Sequence, residues 1–218
     1  MAVAVSDTLA VAYSGAGVTS LTRSFTISGS QRYLLVGVQD VSGDNATSCT
    51  YGGVAMTQLG KINAVTSRYV YMYGLANPTT GTNDIVYTRG STTSVCGFGA
   101  VNLSGATQTT SPVDATATQN GTGSGVSINL TTVSDNTAVI IVGVNAGPIS
   151  ASTNLTEVAA DATFDSTLIC RSTTFPKTPA GLTNYAMTNG AGDNQGLVAV
   201  SIAPYVAATN TGSFLMFM

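Results

Sequence analysis

The sequence predicts an all-β protein, an antiparallel β-sandwich made of two pseudo-repeated half-units. Three observations carry that expectation. Lys and Glu together number three, and no long window places apolar residues at i, i+3, i+4 and i+7, so a helix would lack both its favoured residues and its period. Short runs rich in Val, Ile, Thr and Tyr recur between Gly/Ser/Asn/Asp turns at the spacing of sandwich strands. Finally, 44% of the 218 residues are hydrophobic while only 7 are basic and 10 acidic, which gives ample core beneath a polar but uncharged surface.

Candidate strands follow in order at Ser20 to Ile27, Arg32 to Val41, Thr47 to Tyr51, Arg68 to Leu75, Asp84 to Arg89 and Val95 to Leu103. A second set runs Val126 to Thr131, Ala138 to Asn145, Asn154 to Ala160, Thr167 to Thr173 and Gly196 to Ala203. Tyr33-Leu-Leu-Val-Gly-Val38 and Ala138-Val-Ile-Ile-Val-Gly-Val144 are apolar on both faces, as strands in the middle of a covered sheet should be.

The same two runs match each other. Val36-Gly37-Val38 maps onto Val142-Gly143-Val144 at an offset of 142 minus 36, or 106, and Ile27-Ser28 maps onto Val133-Ser134 at that offset. Phe98 to Val101 resembles Val198 to Ser201 at an offset of 100, and Gly81-Thr-Asn83 resembles the stretch from Gly181 to Asn184. The half-units are expected at about 14–105 and 120–205, with five or six strands each, joined by a Pro/Thr/Gly segment from Gly105 to Gly125 that reads as a linker or a long surface loop. Residues 1–218 are read as a single sandwich domain, because half-units so poor in large aromatics would have thin cores alone, whereas facing sheets bury both apolar sides together.

What is missing excludes much chemistry. There is no histidine, which removes Ser-His-Asp and Cys-His nucleophile systems, imidazole bases and His-ligated metals. Glu157 is the single glutamate, so a Glu pair for glycoside hydrolysis cannot form. No phosphate-binding glycine loop follows a strand. A net charge of -3 without a Lys/Arg cluster predicts no nucleic acid and no anionic membrane as partner. Cys49, Cys96 and Cys170 are far apart and odd in number, which reads as buried free thiols. The first residues carry no basic region ahead of an apolar one, so no signal peptide is expected.

The spacing of Arg32 to Val38, then Cys49-Thr-Tyr-Gly-Gly-Val-Ala-Met-Thr57, then Tyr69 to Leu75 with Asn77-Pro-Thr-Thr-Gly81, then Gly99-Ala-Val-Asn-Leu-Ser-Gly105 resembles one known kind of domain. It is similar to the jelly-roll, concanavalin-like β-sandwich of tailed-phage structural proteins and bacterial surface proteins, over roughly Ser20 to Pro204. The resemblance implies a jelly-roll fold and, without a signal peptide, a virion protein folded in the host cytoplasm; an extracellular protein is the alternative.

Four groups of residues are candidates for function. Tyr69, Tyr71 and Tyr73 share one face of a strand, with Tyr87 on the next, forming either a glycan-stacking platform or a packing face. Asp40 with Asp44, and Asp161 with Asp165, put carboxylates in inter-strand loops, where calcium or plain turn chemistry would use them. Val3 and Val5, and the apolar end Phe214, Leu215, Met216, Phe217, Met218, would either close the sheet edges of their own domain or bind a neighbouring subunit. No catalytic group and no cofactor is expected. The leading expectation is a non-enzymatic capsid decoration or cement protein that forms a homo-oligomer, a trimer by the geometry of the shell, on the major capsid protein. The alternatives are a carbohydrate-binding module or tail receptor-binding protein, and a strand-exchanged filament subunit.

Overall fold

The computed structural model describes residues 2–14, 16–41, 43–65, 67–90, 94–108, 112–145, 147–160, 167–189 and 195–207. Among them the chain is all-β, with antiparallel pairing throughout and no helix. The first half holds β1 (Ala4–Tyr13), β2 (Ser20–Ile27), β3 (Tyr33–Asp40), β4 (Ala46–Tyr51), β5 (Val54–Ala55), β6 (Thr57–Val65), β7 (Arg68–Ala76), β8 (Gly81–Arg89) and β9 (Cys96–Ser104). The second half holds β10 (Val113–Gly121), β11 (Gly125–Thr132), β12 (Ala138–Asn145), β13 (Ile149–Ala151), β14 (Leu155–Ala160), β15 (Thr167–Ser172), β16 (Gly181–Asn189) and β17 (Gln195–Ile202).

Each half is a jelly-roll-like sandwich of its own. Its large sheet runs β1-β9-β3-β7-β6 in the first half and β10-β17-β12-β15-β14 in the second; its small sheet runs β2-β8-β4-β5 or β11-β16-β13. Non-consecutive neighbours of this kind are what paired Greek keys produce. The two large sheets then face each other, with β6 over β17 and β10, β3 over β12, and β1 over β14. The result is four layers around three cores, where the sequence suggested a single two-layer sandwich.

Burial explains which strands lie where. β3, β9, β12 and β17 have large-sheet neighbours on both sides and are buried along nearly their whole length, because one face meets the other half and the opposite face meets the small sheet. Leu35, Met72, Val101, Ile140, Val142 and Val200 fill the central core between the halves, while Leu34, Val36, Val38 and Phe98 fill the first half's own core and Ile141, Leu197 and Ala199 the second's. A fully buried side chain of this size stabilises by about 1.5–3 kcal/mol. In contrast, β11 alternates without fault, with Val126, Ile128 and Leu130 inward and Ser127, Asn129 and Thr131 outward, because one face of the small sheet meets solvent.

Two sequence expectations change. The segment from Gly105 to Gly125 is no linker: it contains β10, an edge strand paired with β17. Its Ala, Thr and Gln side chains stay half-buried or exposed, so backbone pairing rather than an apolar stripe holds it. The repeat is real but shifted by one residue. β3 and β12 correspond at 138 minus 33, an offset of 105, and β9 and β17 at 195 minus 96, an offset of 99, since Asp40 pairs with Cys96 as Asn145 pairs with Gln195. The offset of 106 would lay Val36, which faces the first half's own core, onto Val142, which faces the central core; with a side-chain period of two, a one-residue slip exchanges the faces.

Candidate functional site

The tyrosines form the stripe that alternation predicts, but it lies inside the protein. Along β7 the rings of Tyr69 and Tyr71 stack at 6.1 Å and those of Tyr71 and Tyr73 at 6.2 Å. Tyr87 reaches across from the small sheet to within 6.5 Å of Tyr71 and 6.4 Å of Tyr73. Tyr71 and Tyr87 are fully buried and Tyr73 nearly so, which makes these rings the filling of the first half's core. Only Tyr69 is part-exposed, at the rim beside the Lys61 ammonium. A glycan platform needs these faces open to solvent, so the packing alternative is the one realised.

The carboxylates beside them serve the same core. Asp40 is sealed from water; it accepts from the Tyr87 hydroxyl at 2.9 Å and from the Arg89 guanidinium at 3.1 Å. Arg89 also donates to the carbonyls of Val18 and Ser94, so its charge is met on several sides. Asp44 lies further out, accepting from Lys61 at 2.7 Å and from Tyr71 at 2.9 Å. The Lys61 bond, with help from Tyr71, holds the Asp44 carboxyl below the usual carboxylate range, although partial burial opposes it. Burial first, and then Asp44, pushes the Tyr71 hydroxyl up; burial and Asp40 do the same to Tyr87. Asp40 and Asp44 thus face separate partners and are not gathered as calcium ligands. No group of three Asp, Glu, His or Cys converges among the described residues. Asp161 and Asp165 lie outside the described residues, as do Phe214, Leu215, Met216, Phe217 and Met218.

Of the two fates expected for the N-terminal segment, closing its own sheet is the one observed. β1 pairs with β9, Val3 is buried in the central core and Val5 packs against it half-buried. The three cysteines are buried and unpaired, and burial raises all three thiols, to about 12 for Cys49 and Cys170.

A surface feature that sequence reasoning missed is a groove of about 530 Å³ on the outer face of the first half's small sheet. Ser24, Thr50, Thr82, Asp84 and Val86 line it together with the Gly52-Gly53 turn between β4 and β5. Ser24 donates to Asp84 at 2.6 Å and Thr26 meets Thr82 at 2.7 Å, so the wall is a hydroxyl-rich ladder with one carboxylate. Both turn glycines have positive φ, 55° and 79°, which L side chains rarely adopt. The available signals were the Gly-Gly pair directly after a strand and an acid isolated in a Thr-rich run.

Comparison of the chain with protein-family models, with curated proteins and with solved structures returns no match.

Proposed function

We propose that this chain is a non-enzymatic structural protein of a tailed-phage virion, a capsid decoration protein that self-associates, as a trimer, on the major shell protein. The observation that carries the reading is the back-to-back packing of two jelly-roll halves, which presents two sheet faces on opposite sides of one body. Thr22, Ser24, Thr26 and Thr82 stand on the first face, and Ser127, Asn129, Thr131 and Asn184 on the second. Such faces, hydroxyl- and amide-rich with Asp84 as the one carboxylate among these strands' outward residues, meet neighbouring subunits at little cost in desolvated charge, and many copies on one shell turn individually weak contacts into avidity. The likeness of the strand and turn spacing to jelly-roll domains of phage structural proteins supports the same reading, and Phe214–Met218 supplies an apolar contact segment. Quantitative mass spectrometry of purified particles tests it. A copy number close to that of the major shell protein is expected; a handful of copies would move the protein to the tail, and absence from particles would end the reading.

A second reading, glycan binding, is favoured by the groove around Asp84 rather than by the tyrosines. Hydroxyls, a carboxylate and the small Gly52-Gly53 turn suit a neutral polyhydroxylated ligand. Under that reading Asp84→Ala abolishes binding on a glycan array while leaving the melting temperature within about 2 °C, a surface-mutation effect. Unchanged glycan binding by the variant would remove it.

A further inference from the structure

Two grooves open where the halves meet, and they differ by one charge. One, of about 380 Å³, is lined by Tyr33, Leu59, Gly74 and Val113 among others; the other, of about 370 Å³, by Val3, Val5, Arg171, Phe175 and Pro176. The two are counterparts. Gly74 pairs with Leu35 on β3 and Arg171 with Ile140 on β12, and Leu35 and Ile140 correspond at the offset of 105. β1 and β10, which supply Val5 and Val113, are the equivalent edge strands of the two large sheets. Val5, Leu59, Val113 and Phe175 all pack half-buried against the central core, so each groove is an open margin of that core. The first half needs no charge at its margin. A Cβ at Gly74 would run into the Tyr33 hydroxyl and would lie 2.7 Å from Leu59 Cδ1, so neutral groups close over that position. The shared fold therefore does not demand a guanidinium at position 171.

Alternation along β15 fixes where Arg171 goes. Thr167 bonds to Gln39 of the first half and Ile169 fills the central core, while Leu168 and Cys170 face the second half's own core. Arg171 accordingly turns toward the first half, into the groove. Its guanidinium lies over the Phe175 ring, 5.2 Å from the centroid. Its one hydrogen bond among the described residues runs from Nη1 to the Ser172 carbonyl at 3.4 Å, which is long. No described carboxylate pairs with it, since the ion pairs among the described residues are those of Lys61 with Asp44 and Arg89 with Asp40. Glu157, on the adjacent strand, stands in register with Cys170, whose side chain takes the opposite face of the sheet. A guanidinium fork with its donors free matches a planar anionic head, and the apolar side chains beside it match an apolar tail.

We propose that this groove binds an amphiphilic monoanion, an unbranched alkyl chain ending in a carboxylate. The Arg171 fork holds the carboxylate, and the chain lies along Val5, Phe175 and Pro176 at the margin of the central core. The groove's volume falls within the ~300–1,000 Å³ of small-molecule sites. It opens between the two large sheets, apart from the outer faces of the small sheets assigned to shell or glycan contact, so the site stands or falls independently of them.

Isothermal titration calorimetry of the whole protein tests this with hexanoate, octanoate and decanoate, each below the concentration at which it forms micelles. Saturable binding to one site is expected, with affinity rising about fourfold for each added methylene as more of the chain is covered. Octanol, which keeps the tail and loses the charge, should bind at least tenfold more weakly than octanoate, and octyltrimethylammonium should not bind. These comparisons of head group use the unaltered protein, so they hold whether or not a variant folds. Arg171→Met keeps an apolar stem in the groove and removes the fork; it should lower octanoate affinity to the level of octanol while leaving octanol itself unchanged. Equal affinity for octanoate and octanol would overturn the proposal by removing the role of charge. Octanoate affinity unchanged in Arg171→Met would overturn it by placing the ligand elsewhere, and so would the absence of binding by every carboxylate up to decanoate.

Discussion

Gly37 sits in the middle of β3, where the two halves press together, and Gly37→Ala measures how tightly they do so. A methyl there would lie 2.9 Å from Cγ2 and 3.1 Å from Cβ of Val142 across the central core, and 3.2 Å from Cδ1 of Ile169. Carbon atoms rest comfortably at about 3.5–4.0 Å, so the sheets must part locally by several tenths of an ångström. Val142 is fully buried and β-branched, with little rotamer freedom for stepping aside. Overpacking of this kind costs about 1–3 kcal/mol, and the lower chain entropy of Ala returns roughly 0.5–1, leaving a net loss of about 1–2. Val142→Ala alone should lose about 2 kcal/mol from two buried methyl groups and the space they leave. In the double variant the new methyl occupies that space, so urea unfolding should show a loss smaller than the sum by about 1 kcal/mol. Gly90→Ala serves as control, because its nearest neighbour would be a carbonyl oxygen at 3.9 Å. Strict additivity of Gly37→Ala and Val142→Ala, or a neutral Gly37→Ala, would refute the face-to-face packing of β3 on β12.

Three further outcomes are expected. Tyr71→Ala should destabilise by about 3–5 kcal/mol in thermal or urea unfolding, since it empties the middle of a ring cluster and strips Asp44 of a donor; a melting temperature equal to wild type would mean the ring is outside the core. Asp40→Ala leaves the Arg89 guanidinium buried without its counter-ion and should cost about 3–5 kcal/mol, whereas Asp40→Leu with Arg89→Met should cost less than Asp40→Ala alone; a larger loss in the double variant would mean that the Val18 and Ser94 carbonyls and the Tyr87 hydroxyl, stripped of these partners, outweigh the unpaired charge. At pH 8 the folded protein should react with none of its three thiols when titrated with a disulfide reagent, and with all three in denaturant, because burial holds Cys49 and Cys170 near 12 and raises Cys96 too. Fast reaction of any thiol before unfolding would contradict the burial.

Legibility tracked the source of each strand's stability. Ser20 to Ile27 and Ala138 to Asn145 were readable to the residue because their own side chains carry the signal, alternation in one and double-sided apolarity in the other. β6 and β10 were not foreseen, since Gly60 and Thr118 interrupt any bulky pattern and partners on neighbouring strands hold them; β16 was missed although Tyr185 and Met187 alternate inward, because Thr, Asn and Ala fill the positions around them. β1 was visible only as apolar fragments, its run being broken by the bulges between Val5 and Asp7 and between Leu9 and Ala12. The tyrosine stripe was legible as a stripe, but alternation says which residues share a face and never which face meets water. The buried Asp40 and Arg89 pair lay beyond sequence reading because its members are 49 residues apart and end strands of different sheets, β3 of the large sheet and β8 of the small one. The duplicated architecture was detectable, yet identical Val-Gly-Val triplets pulled the alignment one residue out of phase. Gly37 and Gly143 share the motif while facing different neighbours: Gly37 meets Val142 of the other half, and Gly143 meets Met187 of its own.

That mismatch points to where function should be sought. Two halves with the same sheet order act as controls for each other, because anything one half lacks is not demanded by the fold. Among the described residues the second small sheet has no counterpart of β5, so the Gly52-Gly53 turn and the groove it walls are additions to the scaffold. Asp84 corresponds to Asn184, whose Nδ2 donates a hydrogen bond to Asn129 Oδ1 at 2.8 Å, so the carboxylate is likewise an addition. In the other direction, Arg171 stands where the first half has Gly74, so its guanidinium is an addition of the second half. Mutational scans should therefore weight Asp84 with the Gly52-Gly53 turn, and Arg171 with Phe175, above the shared apolar positions. Substitutions at Val36 or Ile141 would lower stability in either half and say little about what the molecule holds.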